Sequence, residues 1–218
     1  MERDREQGVS TDASLIRVLA VDDHPVFRQG IVGLIDGQLD MRLVGEASNG
    51  REAIQQFRAL RPDVTLMDLQ MPEMNGIDAI SVIRGEFPEA RIIVLTTYAG
   101  DVQALRALKA GARGYLLKNL LYKELLDTIR AVHAGKKTLS PEISYQLADH
   151  ATDEPLSPAE ISVLRLIAAG NGNKQIAHQL SVTEETVKGR VKNILSKLGA
   201  NDRTHAVLIG LKRGIIEL

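Results

Sequence analysis

Residues 16–25 have the sequence IRVLAVDDHP, in which a mostly apolar run of six residues is followed at once by two aspartates. A short apolar run that ends in polar residues is typical of a strand buried inside a parallel sheet. The amphipathic stretch after Pro25 continues to about Ile35 and predicts a helix. This segment therefore predicts a strand, loop and helix in which Asp22 and Asp23 directly follow the strand.

The same pattern recurs along the first two thirds of the chain. LVGEA, VTLMD and IIVLTT precede helices predicted to begin near residues 51, 77 and 102, and GYLLK precedes a helix predicted over residues 122–133. Five short strands alternating with helices predict an α/β doubly wound parallel sheet covered on both faces. We expect a five-stranded, flavodoxin-like sheet of order 2-1-3-4-5 over residues 15–134, after a flexible leader at residues 1–14.

The remainder of the chain is predicted to be helical. Residues 135–154 form a linker with one short helix beginning after Ser140, where Pro141 suits the first turn. Ser157, Pro158 and Glu160 have the spacing of a capping box and begin the next helix. The predicted helices at residues 159–169, 174–180, 184–198 and 202–213 make residues 155–218 an all-α four-helix domain. Its second and third helices, joined by a three-residue turn, have the layout of a helix-turn-helix.

Composition narrows the functional classes. The chain has no cysteine, which excludes disulfides and thiolate metal sites. No apolar run approaches the ~18 residues of a membrane span, and the polar first residues are unlike a signal peptide, so a cytoplasmic protein that does not enter a membrane is predicted. From Pro155 onward the chain has nine basic and five acidic residues, whereas the preceding part has 18 basic and 23 acidic residues. This asymmetry suggests an acidic domain that binds a cation and a basic domain that binds a polyanion.

Three carboxylates fall where predicted strands end. Asp22 and Asp23 follow the first strand and Asp68 ends the third. Strands one and three are neighbours in the predicted order, so their carboxyl ends meet at one crevice of the sheet. A hard divalent cation with oxygen ligands would neutralise the gathered charge, and Mg²⁺ is the natural candidate.

A hydroxyl and an ammonium group are predicted at the same rim. Thr96 ends the fourth strand and Lys118 ends the fifth. With the three carboxylates they suit phosphoryl transfer in which Asp68 attacks phosphorus and Thr96 and Lys118 bind the remaining oxygens. The product would be an acyl phosphate.

Two other classes remain open from the residues alone. An aspartate-nucleophile phosphatase also uses a strand-end carboxylate with magnesium, and it would turn over phosphate esters. An interaction module independent of phosphorylation would use the carboxylates only as caps of the following helices. It would take up no label from acetyl phosphate.

The first part of the chain also resembles the receiver domain of two-component response regulators, over roughly residues 15–133. The resemblance is carried by VDDHPVFRQGI, DLQMPEMNGIDAI, VLTTY and GARGYLLK. It implies that Asp68 is the phosphoacceptor and that a sensor histidine kinase is the phosphoryl donor. It also implies that Asp23, Asp68 and the Gln70 carbonyl bind Mg²⁺, with Asp22 acting through water. A protein of this kind is a regulator whose only chemistry is its own phosphorylation and dephosphorylation, and not an enzyme that turns over a substrate.

The resemblance further implies that Thr96 and Tyr115 form a switch pair. For Tyr115, a half-buried tyrosine without a switching role is an equal alternative. Tyr98 lies two residues after Thr96, where side-chain size can influence the lifetime of the acyl phosphate. Asn119 follows Lys118 where many receivers have Asp or Pro, which leaves the geometry of that peptide bond open.

The third helix of the last domain has the pattern of a DNA recognition helix. Val187, Val191, Ile194 and Leu198 have the spacing of a buried stripe, and Glu185, Gly189, Lys192, Asn193 and Ser196 lie on the opposite face. Basic and amide groups on the exposed face of this helix could contact DNA in its major groove. The predicted DNA-contacting residues are Lys188, Gly189, Arg190, Lys192 and Asn193, with Thr183 and Thr186. The alternative is that the lysines only solvate a surface helix. For Gly189, close approach to DNA and a neutral surface glycine are equal alternatives.

The helical segment from LSPAEISVL to NDRTHAV resembles the LuxR-type helix-turn-helix. With the receiver, it makes the chain resemble a NarL/FixJ family regulator, which implies transcription control through a double-stranded DNA operator and RNA polymerase as a possible partner. In that family the last helix pairs DNA-binding domains as a homodimer, which here assigns Ala206, Val207, Ile209 and Gly210 to the interface. Packing of the same residues in the domain core is the alternative.

Overall fold

A computed structural model describes residues 15–97, 100–119 and 122–216. Its strands are β1 (Ile16–Val21), β2 (Met41–Ala47), β3 (Val64–Asp68), β4 (Ile92–Thr96), β5 (Gly114–Leu117) and β6 (Thr138–Leu139). Its helices are α1 (Pro25–Asp36), α2 (Gly50–Leu60), α3 (Gly76–Glu86), α4 (Asp101–Ala110), α5 (Tyr122–His133), α6 (Pro141–Asp149), α7 (Pro158–Ala168), α8 (Asn173–Gln179), α9 (Glu184–Leu198) and α10 (Arg203–Lys212). The predicted leader and Tyr98 lie outside the described residues.

The strands form one sheet in the order β2-β1-β3-β4-β5-β6. β1 runs parallel to both β2 and β3, and its register with β2 shifts between Val18 and Leu19. The predicted parallel sheet and its 2-1-3-4-5 order are confirmed. A sixth strand, β6, was not predicted, because two residues are too few to show a hydrophobic period. It comes from the predicted linker and pairs in parallel with β5.

Contacts divide the chain into two compact units. The first takes its described residues from Met1–Val94 and Leu121–Lys137, and the second from Leu95–Leu120 and Thr138–Leu218. In the first unit every residue of β3 and every residue of β1 except Arg17 is buried, as their near-continuous apolar sequences require. Ile80 and Ile83 of α3 are buried as well. The carboxyl ends of β1 and β3 are therefore fixed by a packed core.

Side-chain caps set the starts of the helices in the first unit. The Asn49 side chain accepts a hydrogen bond from the Glu52 amide at the start of α2, and the Asn75 side chain does the same for Asp78 at the start of α3. Gly76 approaches β3 so closely that a β-carbon there would lie 2.0 Å from the Asp68 carbonyl oxygen. Glycine at residue 76 thus allows α3 to begin directly beside Asp68.

The helix starts predicted for the later part of the chain are confirmed in the second unit. Ser140 caps α6 ahead of Pro141. Ser157 and Glu160 form the predicted capping box of α7, each accepting a hydrogen bond from the other's backbone amide. α9 spans Glu184–Leu198, as predicted, and α10 runs between the flanking residues Asp202 and Arg213.

The core of α7 to α10 contains the predicted stripe of α9. Val187 and Ile194 are buried, and Val191 and Leu198 are partly buried against them. Val163 and Leu164 of α7 complete the central part of the cluster. The stripe therefore points inward and fixes which face of α9 is presented to solvent.

The end of α10 also contacts the start of α4 within the second unit. The Val102 amide donates a hydrogen bond to the Arg213 carbonyl oxygen (3.2 Å). A β-carbon at Gly100 would lie 2.6 Å from the backbone of Arg213, so glycine permits this close approach. Val102 packs against the core of α7 to α10. No helix in the part of the chain that the structure describes is long and apolar enough to cross a membrane.

Candidate metal site and nucleic-acid interface

Three carboxylates meet at the carboxyl ends of β1 and β3, as the sequence predicts. One ligand atom from each of Asp22, Asp23, His24 and Asp68 lies within 4.8 Å of the others. Asp22 and Asp68 are almost fully buried, with 1% and 3% of their surface exposed. Burying two carboxylates so close together is costly unless a cation or hydrogen-bond donors compensate. The arrangement favours a bound cation.

Backbone groups hold the carboxylates in place. The His24 amide donates to Asp22 Oδ1 (2.9 Å), and the Leu69 amide donates to Asp68 Oδ1 (2.7 Å). The Arg28 guanidinium donates to the Asp22 carbonyl oxygen (2.6 Å) and to Glu46 (2.9 Å). The two amide contacts orient the Asp22 and Asp68 side chains before any ligand binds, which lowers the entropic cost of binding.

The residues fit the Mg²⁺ that the receiver resemblance implies. Hard divalent cations prefer carboxylate and carbonyl oxygens. Asp23 Oδ1 is buried, and among the described residues no group makes a hydrogen bond to it. Gln70 is an exposed residue two positions after Asp68. The ligand roles of Asp22, Asp23, Asp68 and Gln70 stay a prediction that this geometry supports.

His24 belongs to the same cluster, although it was not among the predicted ligands. Its Nδ1 lies 2.7 Å from Asp23 Oδ1 and 3.5 Å from Asp22 Oδ1. The signal was in the sequence, since His24 directly follows the two aspartates. Its ring nitrogen is not among the oxygen ligands that a hard cation such as Mg²⁺ prefers, so the Mg²⁺ prediction did not include it.

Thr96, Tyr115 and Lys118 lie on β4 and β5 or directly after them. Thr96 is the buried last residue of β4, and its carbonyl oxygen accepts a hydrogen bond from the Lys118 amide (2.8 Å). Tyr115 is fully buried and not half-buried, and this burial does not decide between the switching role and its absence. The structure has no cis peptide bond among the described residues, which makes the bond after Lys118 trans. The phosphate-binding and switching roles of these residues stay predictions.

The predicted free face of α9 is exposed. Glu185, Gly189, Lys192, Asn193 and Ser196 are all exposed, while Arg190 is partly buried at the flank of the stripe. Lys188 forms ion pairs with Glu184 (3.9 Å) and Glu185 (3.6 Å). Thr183 caps the helix by accepting from the Thr186 amide, and their hydroxyls also lie within hydrogen-bond distance (2.8 Å). Both threonines thus have a structural role at the start of α9 in addition to their predicted DNA contact.

Two glycines on the last helices differ in their surroundings. A β-carbon at Gly189 would meet no atom within 4 Å, so packing within the chain does not require glycine there. At Gly210 it would lie 2.9 Å from Leu164 Cδ2 and 3.2 Å from Ile216 Cγ1. Glycine at residue 210 therefore leaves room for the core side chains of Leu164 and Ile216.

The four residues predicted for the dimer interface are not equally accessible. Ala206 and Gly210 are buried in the domain, which supports the alternative of core packing for these two. Val207 and Ile209 are partly buried, whereas Leu208 between them is 52% exposed. Leu208 was not among the predicted residues because the sequence alone did not show which side of α10 faces the core.

Comparisons with known proteins follow this division of the chain. Residues 18–130 match the family model "Response regulator receiver domain", and residues 154–209 match "Bacterial regulatory proteins, luxR family". The response regulator protein VraR of Staphylococcus aureus is 37% identical over 207 residues, which are 93% of this chain and 99% of that protein.

Solved structures of response regulators are also similar to this chain. An RcsB–DNA complex has a TM-score of 0.69 at 28% identity, covering 91% of this chain and 98% of that chain. The response regulator ChrA of a heme-sensing two-component system has a TM-score of 0.57 at 35% identity, covering 93% and 100%. A LuxR-family response regulator from Aurantimonas sp. SI85-9A1 has a TM-score of 0.61 at 37% identity and covers 64% of this chain and all of its own.

The fold, the carboxylate site and these matches define a DNA-binding transcription regulator with a receiver domain. The chain belongs to the LuxR family of two-component response regulators.

Proposed function

We propose that a sensor histidine kinase phosphorylates Asp68 and that this phosphorylation controls dimerisation and sequence-specific DNA binding in the cytoplasm. The observation that carries the proposal is the gathering of Asp22, Asp23 and Asp68 within 4.8 Å in a chain with a receiver domain. Neither helix capping nor core packing requires three carboxylates at one point. A cation site next to a nucleophilic carboxylate does.

In the proposed reaction an oxygen of Asp68 attacks the phosphorus of a phosphohistidine. A new O–P bond forms, the N–P bond breaks, and the nitrogen of the kinase histidine keeps the electron pair and gains a proton. Mg²⁺, when bound, would neutralise charge on the transferred phosphoryl group. The Leu69 amide, which donates to Asp68 Oδ1, helps orient the attacking carboxylate. We assign the Thr96 hydroxyl and the Lys118 ammonium group to the phosphoryl oxygens of the product.

The proposed DNA interface is the exposed face of α9. Lys188, Arg190 and Lys192 would meet phosphates or guanine edges, and Asn193 would reach a base or a phosphate. The basic character of the chain from Pro155 onward supports this assignment. So does the likeness to RcsB, whose solved structure is a complex with DNA. Thr183 and Thr186 lie at the start of α9, where a helix N-terminus favours a phosphate.

We propose that α10 forms the dimer contact through Leu208, with Val207 and Ile209 at its edges. The exposed fraction of Leu208 supports this choice over Ala206 and Gly210, which are needed in the core. A solved structure of RcsB contains dimers bound to DNA. A C2 dimer would match inverted half-sites, and RNA polymerase is the further partner expected of a promoter-bound regulator.

The test is DNA binding by the full-length protein across a salt series, with and without acetyl phosphate and Mg²⁺. Fluorescence anisotropy with a labelled duplex of mixed sequence measures affinity, and phosphate labelling is followed on the same samples. We expect labelling and tighter binding for the wild type and neither for Asp68→Asn. The control Asp36→Asn changes an exposed aspartate on α1 and should behave like the wild type.

Each alternative gives a different result in this experiment. A salt slope near zero would refute the DNA interface, because phosphate contacts release counterions. Labelling of Asp68→Asn equal to that of the wild type would refute the phosphoacceptor. Steady release of phosphate from phosphate esters would instead identify a phosphatase, since the proposed regulator turns over only its own acyl phosphate.

A further inference from the structure

We propose that His24 contributes a nitrogen ligand to the cation site, so that the site discriminates in favour of Mn²⁺ and other first-row transition cations over Mg²⁺. This inference rests on the proposed function only in placing a cation among Asp22, Asp23 and Asp68. It adds a fourth side chain to that site and assigns to it the choice of metal.

The distances between the side chains suit a shared ion. Bonds of about 2.0–2.2 Å to a cation place adjacent ligand atoms about 3 Å apart. His24 Nδ1 lies 2.7 Å from Asp23 Oδ1 and 3.5 Å from Asp22 Oδ1, which brackets that separation. The Asp68 carboxylate belongs to the same cluster, within 4.8 Å. The imidazole is thus at ligand distance without a change of backbone.

His24 Nδ1 and Asp23 Oδ1 are close enough to form an ion pair if the imidazole is protonated. Asp23 Oδ1 is buried, and no group among the described residues makes a hydrogen bond to it, although Nδ1 is 2.7 Å away. A neutral imidazole nitrogen and a carboxylate oxygen are both metal ligands, so one cation can be ligated by both atoms.

The backbone holds His24 in position. Its amide donates to Asp22 Oδ1 (2.9 Å), and its extended conformation (φ −88°, ψ 106°) places it as the N-cap of α1. Pro25 follows at the first position of the helix, where the ring restricts the chain further. The side chain itself is 68% exposed, so solvent reaches the imidazole.

Replacing an oxygen ligand or a water by imidazole changes which cation binds best. Carboxylates and waters suit Mg²⁺, whereas imidazole suits the transition metals, whose affinities rise from Mn²⁺ towards Cu²⁺ for a given site. His24 should therefore raise the affinity for Mn²⁺ and Co²⁺ while changing that for Mg²⁺ little.

The test compares full-length wild type with His24→Ala by calorimetric titration with Mn²⁺ and with Mg²⁺. We expect the Mn²⁺ affinity of His24→Ala to fall by about tenfold or more, the scale on which groups around a metal affect its binding. The Mg²⁺ affinity should stay within about twofold to threefold. His178→Ala, at an exposed histidine of α8, is the matched control and should leave both affinities unchanged.

A direct readout comes from electron spin echo spectroscopy of the Mn²⁺-bound protein. The wild type and His178→Ala should show the coupling of a coordinated imidazole nitrogen, and His24→Ala should lack it. Equal nitrogen coupling in His24→Ala and the wild type, or an unchanged ratio of Mn²⁺ to Mg²⁺ affinity, would overturn the inference. If Asp68 is still labelled by acetyl phosphate in Mg²⁺, the proposed function survives that result. Absence of any cation binding in the wild type would overturn both.

Discussion

Arg213, at the end of α10, binds both carboxylate oxygens of Asp101, at the start of α4. The distances are 3.0 Å from Nε to Oδ1 and 2.8 Å from Nη2 to Oδ2, and Nη1 also donates to Asp153 Oδ2 (2.8 Å). Only 15% of the Arg213 side chain and 8% of the Asp101 side chain are exposed. Burial alone would lower the pKa of Arg213, but the hydrogen bonds to Asp101 outweigh it and raise that pKa. One guanidinium therefore joins three segments of the second unit.

We expect Arg213→Met to lower the free energy of unfolding of the second unit by about 1.5–3 kcal/mol, the range for hydrogen bonds to charged groups. Methionine retains much of the apolar part of the arginine side chain. The loss of stability therefore measures the contribution of the guanidinium charge and its hydrogen bonds. Urea unfolding followed by circular dichroism measures it. Arg165→Met, at an exposed site of α7, should change stability by less than about 0.5 kcal/mol. Equal effects of the two substitutions would contradict the importance of this contact.

Glu160 should make stability depend on pH. Burial on its own would raise its pKa, but hydrogen bonds from the Ser157 amide and from Lys197 prevail and lower the pKa below the ordinary 4.5. The ionised carboxylate therefore stabilises the fold fully above that ordinary pKa, and this stability is lost as the pH falls through the lower folded pKa.

Glu160→Gln keeps the capping geometry but removes the charge that faces Lys197 (3.1 Å). We expect a loss of about 1 kcal/mol at pH 7. Thermal melts between pH 3 and pH 7 should show this difference shrinking below about pH 4, because protonation then neutralises the wild-type carboxylate as well. Glu142→Gln, at an exposed residue in the first turn of α6, is the control. A difference that stays constant with pH would be inconsistent with this account.

Gly189→Ala and Gly210→Ala should have opposite effects on stability. Space is open at Gly189, so alanine should stabilise α9 by up to about 1 kcal/mol through its helix propensity. At Gly210 the new methyl would press on Leu164 and Ile216, and we expect a loss of about 1–3 kcal/mol. Thermal unfolding separates the two cases. Weaker DNA binding by the stabilised Gly189→Ala would favour close approach of the backbone to DNA, and unchanged affinity would favour the neutral surface glycine.

Gly76→Ala should disturb the carboxylate site, whereas Gly85→Ala in the same helix should not. A β-carbon at residue 76 would lie 2.0 Å from the Asp68 carbonyl oxygen, so β3 and α3 would have to separate. We expect a fall in stability of more than about 1 kcal/mol and weaker Mg²⁺ binding by calorimetry. Open space at Gly85 predicts normal binding and stability equal to or above the wild type. Normal Mg²⁺ affinity in Gly76→Ala would show that the close approach is dispensable.

Much of the fold follows from features that short stretches of sequence contain. Apolar runs ending in Asp22 and Asp68 predicted β1 and β3, and Ser157 with Glu160 predicted the capping box of α7. Each of these predictions depends on residues that are only a few positions apart in sequence. Hydrophobic periodicity and helix capping both involve residues within that range. The convergence of the carboxylates followed from the predicted strand order.

The features that were missed depend on contacts between distant residues or on very short elements. Arg213 and Asp101 are 112 positions apart, and neither has a neighbour in sequence that signals the pair. The burial of Ala206 depends on how α10 packs against α7, which an evenly apolar helix does not reveal. β6 has too few residues for a period, and its pairing with β5 depends on the path of the chain after α5.

The position of β6 has a practical consequence for dissecting the protein. The amide of Thr138 donates to the Arg113 carbonyl oxygen (3.0 Å), and that of Ser140 donates to the Tyr115 carbonyl oxygen (3.1 Å). A fragment cut after α5 would leave these two acceptors, on β5 and directly before it, without their donors, and an unpaired strand edge can pair with other chains. Such a fragment should self-associate as its concentration rises. Self-association measured on it would result from the exposed edge of β5 and would not be a property of the full-length protein. Carrying the fragment through α6 would keep that edge covered.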